Sequence, residues 1–191
     1  MKEKIISEIL EWLKAIAIAL VIGFILNIFV SATNVYNISM ENTLKQGDVL
    51  ILLKKGSINR GDIVSLKSDI PIGDYNYNLL NSFQKLKTNP NDKMNLIKRI
   101  IGVPGDKIEI HDGNVYINDS LYKEAYIKDG TTNGEIYLEK IPEGNYFVMG
   151  DNRLHSEDSR SARVGLIPKE KIIGKSILRI WPLNRISTLK K

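Results

Sequence analysis

Apolar residues are spread unevenly along the 191-residue chain, and their spacing divides it in two. From Ala15 to Met40 there is no Asp, Glu, Lys or Arg, and between Ala15 and Val30 only Gly23 and Asn27 interrupt the apolar run. A stretch this apolar on every side has no polar face to turn to water, so it is not the surface helix of a soluble domain. A cleaved secretory signal has an apolar core of about 7–15 residues, whereas a spanning helix needs roughly 17–25. With Trp12 and Leu13 before it and residues 31–33 after it, the segment falls in the second range. It predicts a transmembrane anchor over residues 15–33, preceded by a short N-terminal segment, residues 1–14. Val30-Ser31-Ala32 has the small-residue character of a cleavage site, and a cleaved signal peptide is the competing reading.

Beyond the anchor the apolar period becomes that of strands. Residues 48–53 and 62–66 are short apolar runs, each introduced by Gly-Asp, and residues 96–103 form a third that ends in Pro104-Gly105-Asp106. Residues 108–117 read as a hairpin, because Asp112-Gly113 sits between two alternating triplets. Residues 144–149 and 172–180 are further strands. Many short strands and no long amphipathic helix predict a mainly β fold, an all-β domain over residues 34–191. Residues 67–93 interrupt it: asparagines, two prolines and little alternation predict a long variable insertion with a short helix around residues 79–86.

Charge sets the orientation. Lys2, Lys4 and Lys14 precede the apolar run and the first basic residue after it is Lys45, so the positive-inside rule predicts a single-pass cell-membrane protein with a cytoplasmic N-terminus. Residues 34–191 then lie outside the cytoplasm. The absence of cysteine excludes disulfides and thiolate chemistry. The net charge of +5 comes from the outer part and suits solubility or a weak attraction to anionic membrane lipid. No basic–aromatic interleaving points to nucleic acid.

Candidate chemistry is narrowed by what is missing. The chain has two histidines, His111 in the hairpin and His155 in a polar run, which make a poor triad and a poor metal site. No H-E-x-x-H or EF-hand loop occurs, so neither a metal nor a cofactor is called for. Ser39-Met40-Glu41-Asn42 lacks the lysine three residues on that an S-x-x-K nucleophile needs. A serine can instead be activated by a neutral lysine. Lysine is protonated in water, with a pKa near ~10.4, and burial among apolar groups lowers it. Lys98, between Leu96-Ile97 and Ile100-Ile101, is placed for that, although a lysine on an apolar strand more often points to solvent from a sheet edge.

Four segments in order then carry a resemblance. They are Ser39-Met40-Glu41-Asn42-Thr43-Leu44, Gly47-Asp48-Val49-Leu50, the nine residues from Lys98 to Asp106, and the eleven from Gly150 to Arg160. Together with Arg179-Ile180-Trp181-Pro182 they resemble the bacterial type I signal peptidases over the whole chain except the insertion. The resemblance implies an all-β catalytic domain that cleaves signal peptides from secreted preproteins at Ala-x-Ala type sites. It implies Ser39 as nucleophile, Lys98 as general base and Ser156 as the hydroxyl that orients the lysine amine. Asp151, Asn152, Arg153, Asp158 and Arg160 match the supporting segment, with Asp158 and Arg160 as an ion pair. The expected setting is a monomer on the membrane beside the secretion translocon.

Two positions depart from the family pattern. Asn42 replaces a proline, a change expected to cost rigidity rather than a reacting group. Asn37 stands where a serine or glycine is usual, and its amide N–H is the expected second donor to the oxyanion, beside the Ser39 backbone N–H. Topology fits the same reading, since nine residues between Val30 and Ser39 span at most about 30 Å. The nucleophile is thereby tethered near the membrane surface. The alternatives are a specialised relative with a narrow client set, such as pilins, and a non-catalytic module that binds signal peptides.

Overall fold

The computed structural model describes residues 2–78, 80, 82–86, 88–127 and 130–189. It opens with helix α1 (Lys2–Phe29), and within it Ser7–Phe29 is long and apolar enough to cross a membrane. Twenty-three residues at 1.5 Å each span about 35 Å, against a hydrocarbon core of about 30 Å. Its apolar side chains from Ile9 to Phe29 are exposed, Trp12 at 72% and Phe24 at 70% among them.

The helix ends at Phe29, short of the expected boundary at 33. Val30–Asn34 is instead strand β1, antiparallel to β2 (Val49–Leu53), with Val30 opposite Leu53 and Asn34 opposite Val49. The end of β2 also closes the helix: Lys54 N–H donates to the Phe29 carbonyl at 2.8 Å and Lys54 Nζ to the Asn27 carbonyl at 2.6 Å. A cation against the last carbonyls suits the negative end of the helix dipole. The chain passes from anchor to sheet with no linker between them.

Next come β3 (Ile63–Pro71), two short helices α2 (Gly73–Asn78) and α3 (Ser82–Lys85), and β4 (Lys93–Gly102). Strands β3 and β4 run further than their apolar cores suggested, because Lys67 still pairs with Asn95 and Pro71 with Lys93. The part of the insertion between the paired ends of β3 and β4 is therefore residues 72–92, and it carries α2 and α3. The expected helix over 79–86 is represented by α3, while Leu79, Asn81 and Lys87 lie outside the described residues.

The predicted hairpin is β5 (Ile108–His111) and β6 (Asn114–Ile117), turned by Asp112 and Gly113, both at positive φ as a tight two-residue turn requires. Short strands β7 (Ser120–Leu121) and β8 (Ile136–Leu138) flank it to make a four-stranded sheet, ordered β7-β6-β5-β8. The chain then returns to the main sheet with β9 (Asn145–Met149), β10 (Ile167–Pro168), β11 (Ile172–Trp181) and β12 (Ser187–Thr188). That sheet is ordered β1-β2-β11-β3-β4-β9-β10, with β12 on β11. Every pairing in both sheets is antiparallel. The mainly β fold is the expected one.

Strand β4 decides the position of the site. It lies between β3 and β9, and from Lys98 to Gly102 it is buried on both faces. One face meets the cluster of Val64, Leu66, Leu96, Ile100 and Val148, and the smaller sheet packs around Ile101, Phe147 and Met149. A third cluster of Val35, Met40, Leu44, Leu50 and Ile63 lies under the turn that carries Ser39. A polar side chain that enters from the middle of β4 is therefore forced into a dry interior.

Candidate active site

Lys98 is such a side chain. It sits opposite Val64, one residue from the Arg99–Met149 pair, so it belongs to the sheet's interior and not to an edge. It is 1% exposed, and its Nζ lies 2.8 Å from Ser39 Oγ. Among the described residues that is the one hydrogen bond of its amine. Burial pushes the Lys98 pKa down, the Asp158 and Asp151 carboxylates pull part of it back, and it settles at about 8 in place of 10.5. A base that is half neutral near pH 8 can take a hydroxyl proton that an ordinary lysine cannot.

Ser39 starts a tight turn after β1. Glu41 N–H donates to the Ile38 carbonyl, and both Thr43 and Leu44 N–H donate to that of Met40. Met40 and Leu44 are buried and pin the turn to the core. Two bonds from Asn152 hold the backbone at Ser39: its N–H to the Ser39 carbonyl at 3.0 Å, and its Nδ2 to the Ile38 carbonyl at 3.1 Å. Gly150 has no room for a side chain, because a Cβ there would collide with the Ser39 carbonyl oxygen and with Ser156 Oγ.

The Gly150–Arg160 segment is a network of charges below the pair. Asp158 accepts from Gly150 N–H at 3.0 Å, from Ser156 Oγ at 2.6 Å and from Arg160 Nε at 2.8 Å. Burial pushes its carboxyl up, but Arg160, Ser156 and Gly150 more than offset this and hold it below its usual value. Asp151 takes a bidentate pair from Arg99, at 2.8 and 2.6 Å, and the Thr43 hydroxyl. Arg153 crosses to Glu124 and Thr132, with side-chain exposures of 0% for Arg153 and 4% for Glu124.

Of the residues singled out in the sequence, Ser39, Lys98, Asn37, Asn152 and Gly150 come together around one point, and the expected Asp158–Arg160 ion pair is present. Two details differ. Ser156 makes no hydrogen bond to Lys98: its proton goes to Asp158, a charged and therefore stronger acceptor. Asn37 turns its carbonyl oxygen, not its amide N–H, toward Ser39. Oδ1 accepts from the Ser39 N–H at 3.2 Å and from its hydroxyl at 2.9 Å, an Asx turn. The backbone N–H can only donate, so the atom that faces it has to be the oxygen. His111 and His155 are both exposed, with His111 stacked on Tyr116.

Asn42 also differs from expectation. Its φ is +88°, a left-handed conformation open to asparagine and closed to proline, and its Nδ2 donates to the Tyr126 carbonyl at 3.2 Å. The turn is thus not a loosened proline turn; it is built differently and tied across to the 122–127 loop. Glu124, Thr43 and Tyr126, whose ring lies 3.9 Å from the Arg99 guanidinium, escaped the sequence reading. Glu124 lies 29 residues from Arg153 in an irregular stretch, where nothing in the local pattern marks a carboxylate as buried.

A serine hydroxyl beside a buried lysine, on an all-β domain behind an exposed apolar helix, is the equipment of a membrane-type serine hydrolase. The family model described as signal peptidase, peptidase S26, matches residues 9–181. The chain is 34% identical to signal peptidase I P of Bacillus subtilis subsp. natto, over 96% of this chain and 95% of that protein. It is 33% identical to signal peptidase IB of Staphylococcus aureus strain COL, over 93% and 92%. A signal peptidase I crystal structure from Enterococcus faecalis V583 is 26% identical, covers 63% of this chain and 97% of that one, and superposes with a TM-score of 0.45. The chain belongs to the signal peptidase family, peptidase S26, and is a serine-type endopeptidase.

Proposed function

We propose that this protein is a membrane-anchored endopeptidase that removes signal peptides from secreted preproteins at Ala-x-Ala type sites. The observation that carries the reading is the 2.8 Å approach of a fully buried Lys98 amine to the Ser39 hydroxyl. Neutral Lys98 takes the Ser39 proton as Oγ bonds to the scissile carbonyl carbon. The carbonyl oxygen becomes an oxyanion that the Ser39 backbone N–H receives. Lys98, now an ammonium, returns the proton to the departing amine as the C–N bond breaks and leaves an acyl group on Oγ. Water then attacks the ester carbonyl and gives a proton to Lys98. As the C–Oγ bond breaks, Lys98 returns that proton to Ser39 Oγ, which restores the free enzyme and releases the new carboxyl end of the signal peptide.

Asn37 has to let go for this cycle to start, because its oxygen occupies the N–H that the oxyanion needs. Asn37 is therefore a resting-state clamp, not a donor. Ser156 acts at one remove, through Asp158, whose charge contributes to the lysine's protonation balance. Asp151, Asn152, Arg153 and Arg160 hold the Ser39 turn and β4 in register with each other.

In the membrane the N-terminus is cytoplasmic and residues 34–191 stand outside, as the lysines before the span favour. The substrate would be met at the outer surface beside the translocon, by a monomer that uses no cofactor. A narrower client set, such as pilins, is the second reading, favoured by an insertion that lines the cleft. The deciding experiment is incubation of the purified protein in detergent with a signal-peptide-bearing preprotein, against a Ser39→Ala control. Cleavage by the first alone is expected; equal cleavage by both, or by neither, removes the proposal.

A further inference from the structure

A cavity of about 470 Å³ opens beside the dyad. Residues 32–37 form one side, the first half of β4 another, and the insertion the third, through Ile72, Asn76, Leu80, Thr88 and Asp92. Sites that hold whole small ligands measure about 300–1,000 Å³. The volume therefore suits a length of peptide, not a single small side chain. Its apolar lining has two origins: Val35, Met40, Met94 and Ile97 from the β domain, Ile72 and Leu80 from the insertion.

The insertion stands at the end of this cavity away from the chemistry. It joins β4 at Lys93, five residues before Lys98, which at about 3.3 Å per residue is about 17 Å along the strand. A substrate laid out in extended form covers the same distance with about five residues. The foot of the insertion is fixed rather than loosely attached. Pro71 pairs with Lys93, Ile72 N–H donates to the Asp92 carbonyl at 2.8 Å, and Gly73 N–H donates to that of Pro90 at 2.8 Å. Asn76 Nδ2 closes the first turn of α2 onto the Ile72 carbonyl at 3.0 Å.

We infer that residues 72–92 are a specificity wall that reads the signal peptide about four to six residues upstream of the scissile bond, where Ile72 and Leu80 receive an apolar side chain. This rests on the peptidase reading above and adds a contact well upstream of the small residues next to the cut.

The test uses two peptides that span a signal-peptide cleavage site and differ only in leucine or serine at the fifth residue upstream. The intact protein should cleave the leucine peptide with a kcat/KM higher by roughly tenfold, carried by KM, as expected when an apolar side chain leaves water. In the Ile72→Ser/Leu80→Ser double variant, and in a variant with residues 73–91 replaced by Asn-Gly, that preference should vanish, with thermal unfolding showing both folded. A preference retained in both variants, or absent from the intact protein, overturns the wall. Cleavage of neither peptide by the intact protein instead overturns the peptidase reading on which it rests.

Discussion

The side-chain oxygen of Asn37 accepts from both the backbone N–H and the hydroxyl of Ser39. In the proposed mechanism it sits where the substrate's own carbonyl oxygen has to go, so the resting site is satisfied by an internal mimic. Asn37→Ala removes a competitor and no donor. The variant should keep its kcat, well short of the ~10²–10³-fold loss that follows removal of an oxyanion donor. Steady-state kinetics on a preprotein decide it, and a hundredfold fall would return Asn37 to the donor role its sequence position suggested.

The Lys98 pKa of about 8 fixes the pH dependence. Below it the amine carries the proton it needs to accept, so kcat/KM should climb about tenfold per pH unit and level off above pH 8. Lys98→Met should abolish cleavage at every pH. A profile that peaks in acid would contradict a lysine base.

The same burial has a cost for folding. The unfolded chain holds the Lys98 proton more tightly than the native one, with a pKa of 10.5 against about 8. Native stability is therefore reduced in full below pH 8 and recovers as pH rises toward 10.5. Lys98→Met should raise stability at pH 7 by about 1–3 kcal/mol, and the gain should shrink toward pH 10.5. Denaturant unfolding at the two pH values measures both; a variant less stable than the parent at pH 7 would refute the account.

At position 42 restoration of the family proline should do harm. With φ at +88°, Asn42→Pro forces the turn out of shape and should destabilise by more than ~1 kcal/mol and depress activity, while Asn42→Gly should be close to neutral. Thermal unfolding of the two variants compares them directly.

Arg153 and Glu124 are buried partners, and removal of one leaves the other charge without compensation. Glu124→Ala should cost about 3–5 kcal/mol, although Glu124 never meets the substrate. Denaturant midpoints test this, and a loss under ~1 kcal/mol would mean that water reaches Arg153.

How much of this could be read from the chain depends on whether the cause was local. The long strands and the Asp112-Gly113 hairpin announce themselves through alternation and turn residues. The two-residue strands β7, β10 and β12 carry no period of their own and exist because a neighbour offers them an edge. Strand β1 was hidden by its apolar start, which continues the helix pattern, and is set by its register against β2. At the site, the order of the motifs pointed to Ser39 and Lys98. The direction of the Asn37 amide, the positive φ of Asn42 and the partner of Ser156 are settled by contacts across the fold, for which residue spacing holds no signal.

Helix α1 runs into β1 without a linker and is capped by Lys54 from the adjoining strand. On the membrane-anchored reading proposed above, anchor and β domain would move as a lever with its fulcrum in the lipid. When the helix leans to match a thinner or thicker bilayer, the swing passes through β1 to the turn that holds Ser39. The height at which Ser39 stands would then become a mechanical property of the membrane around it.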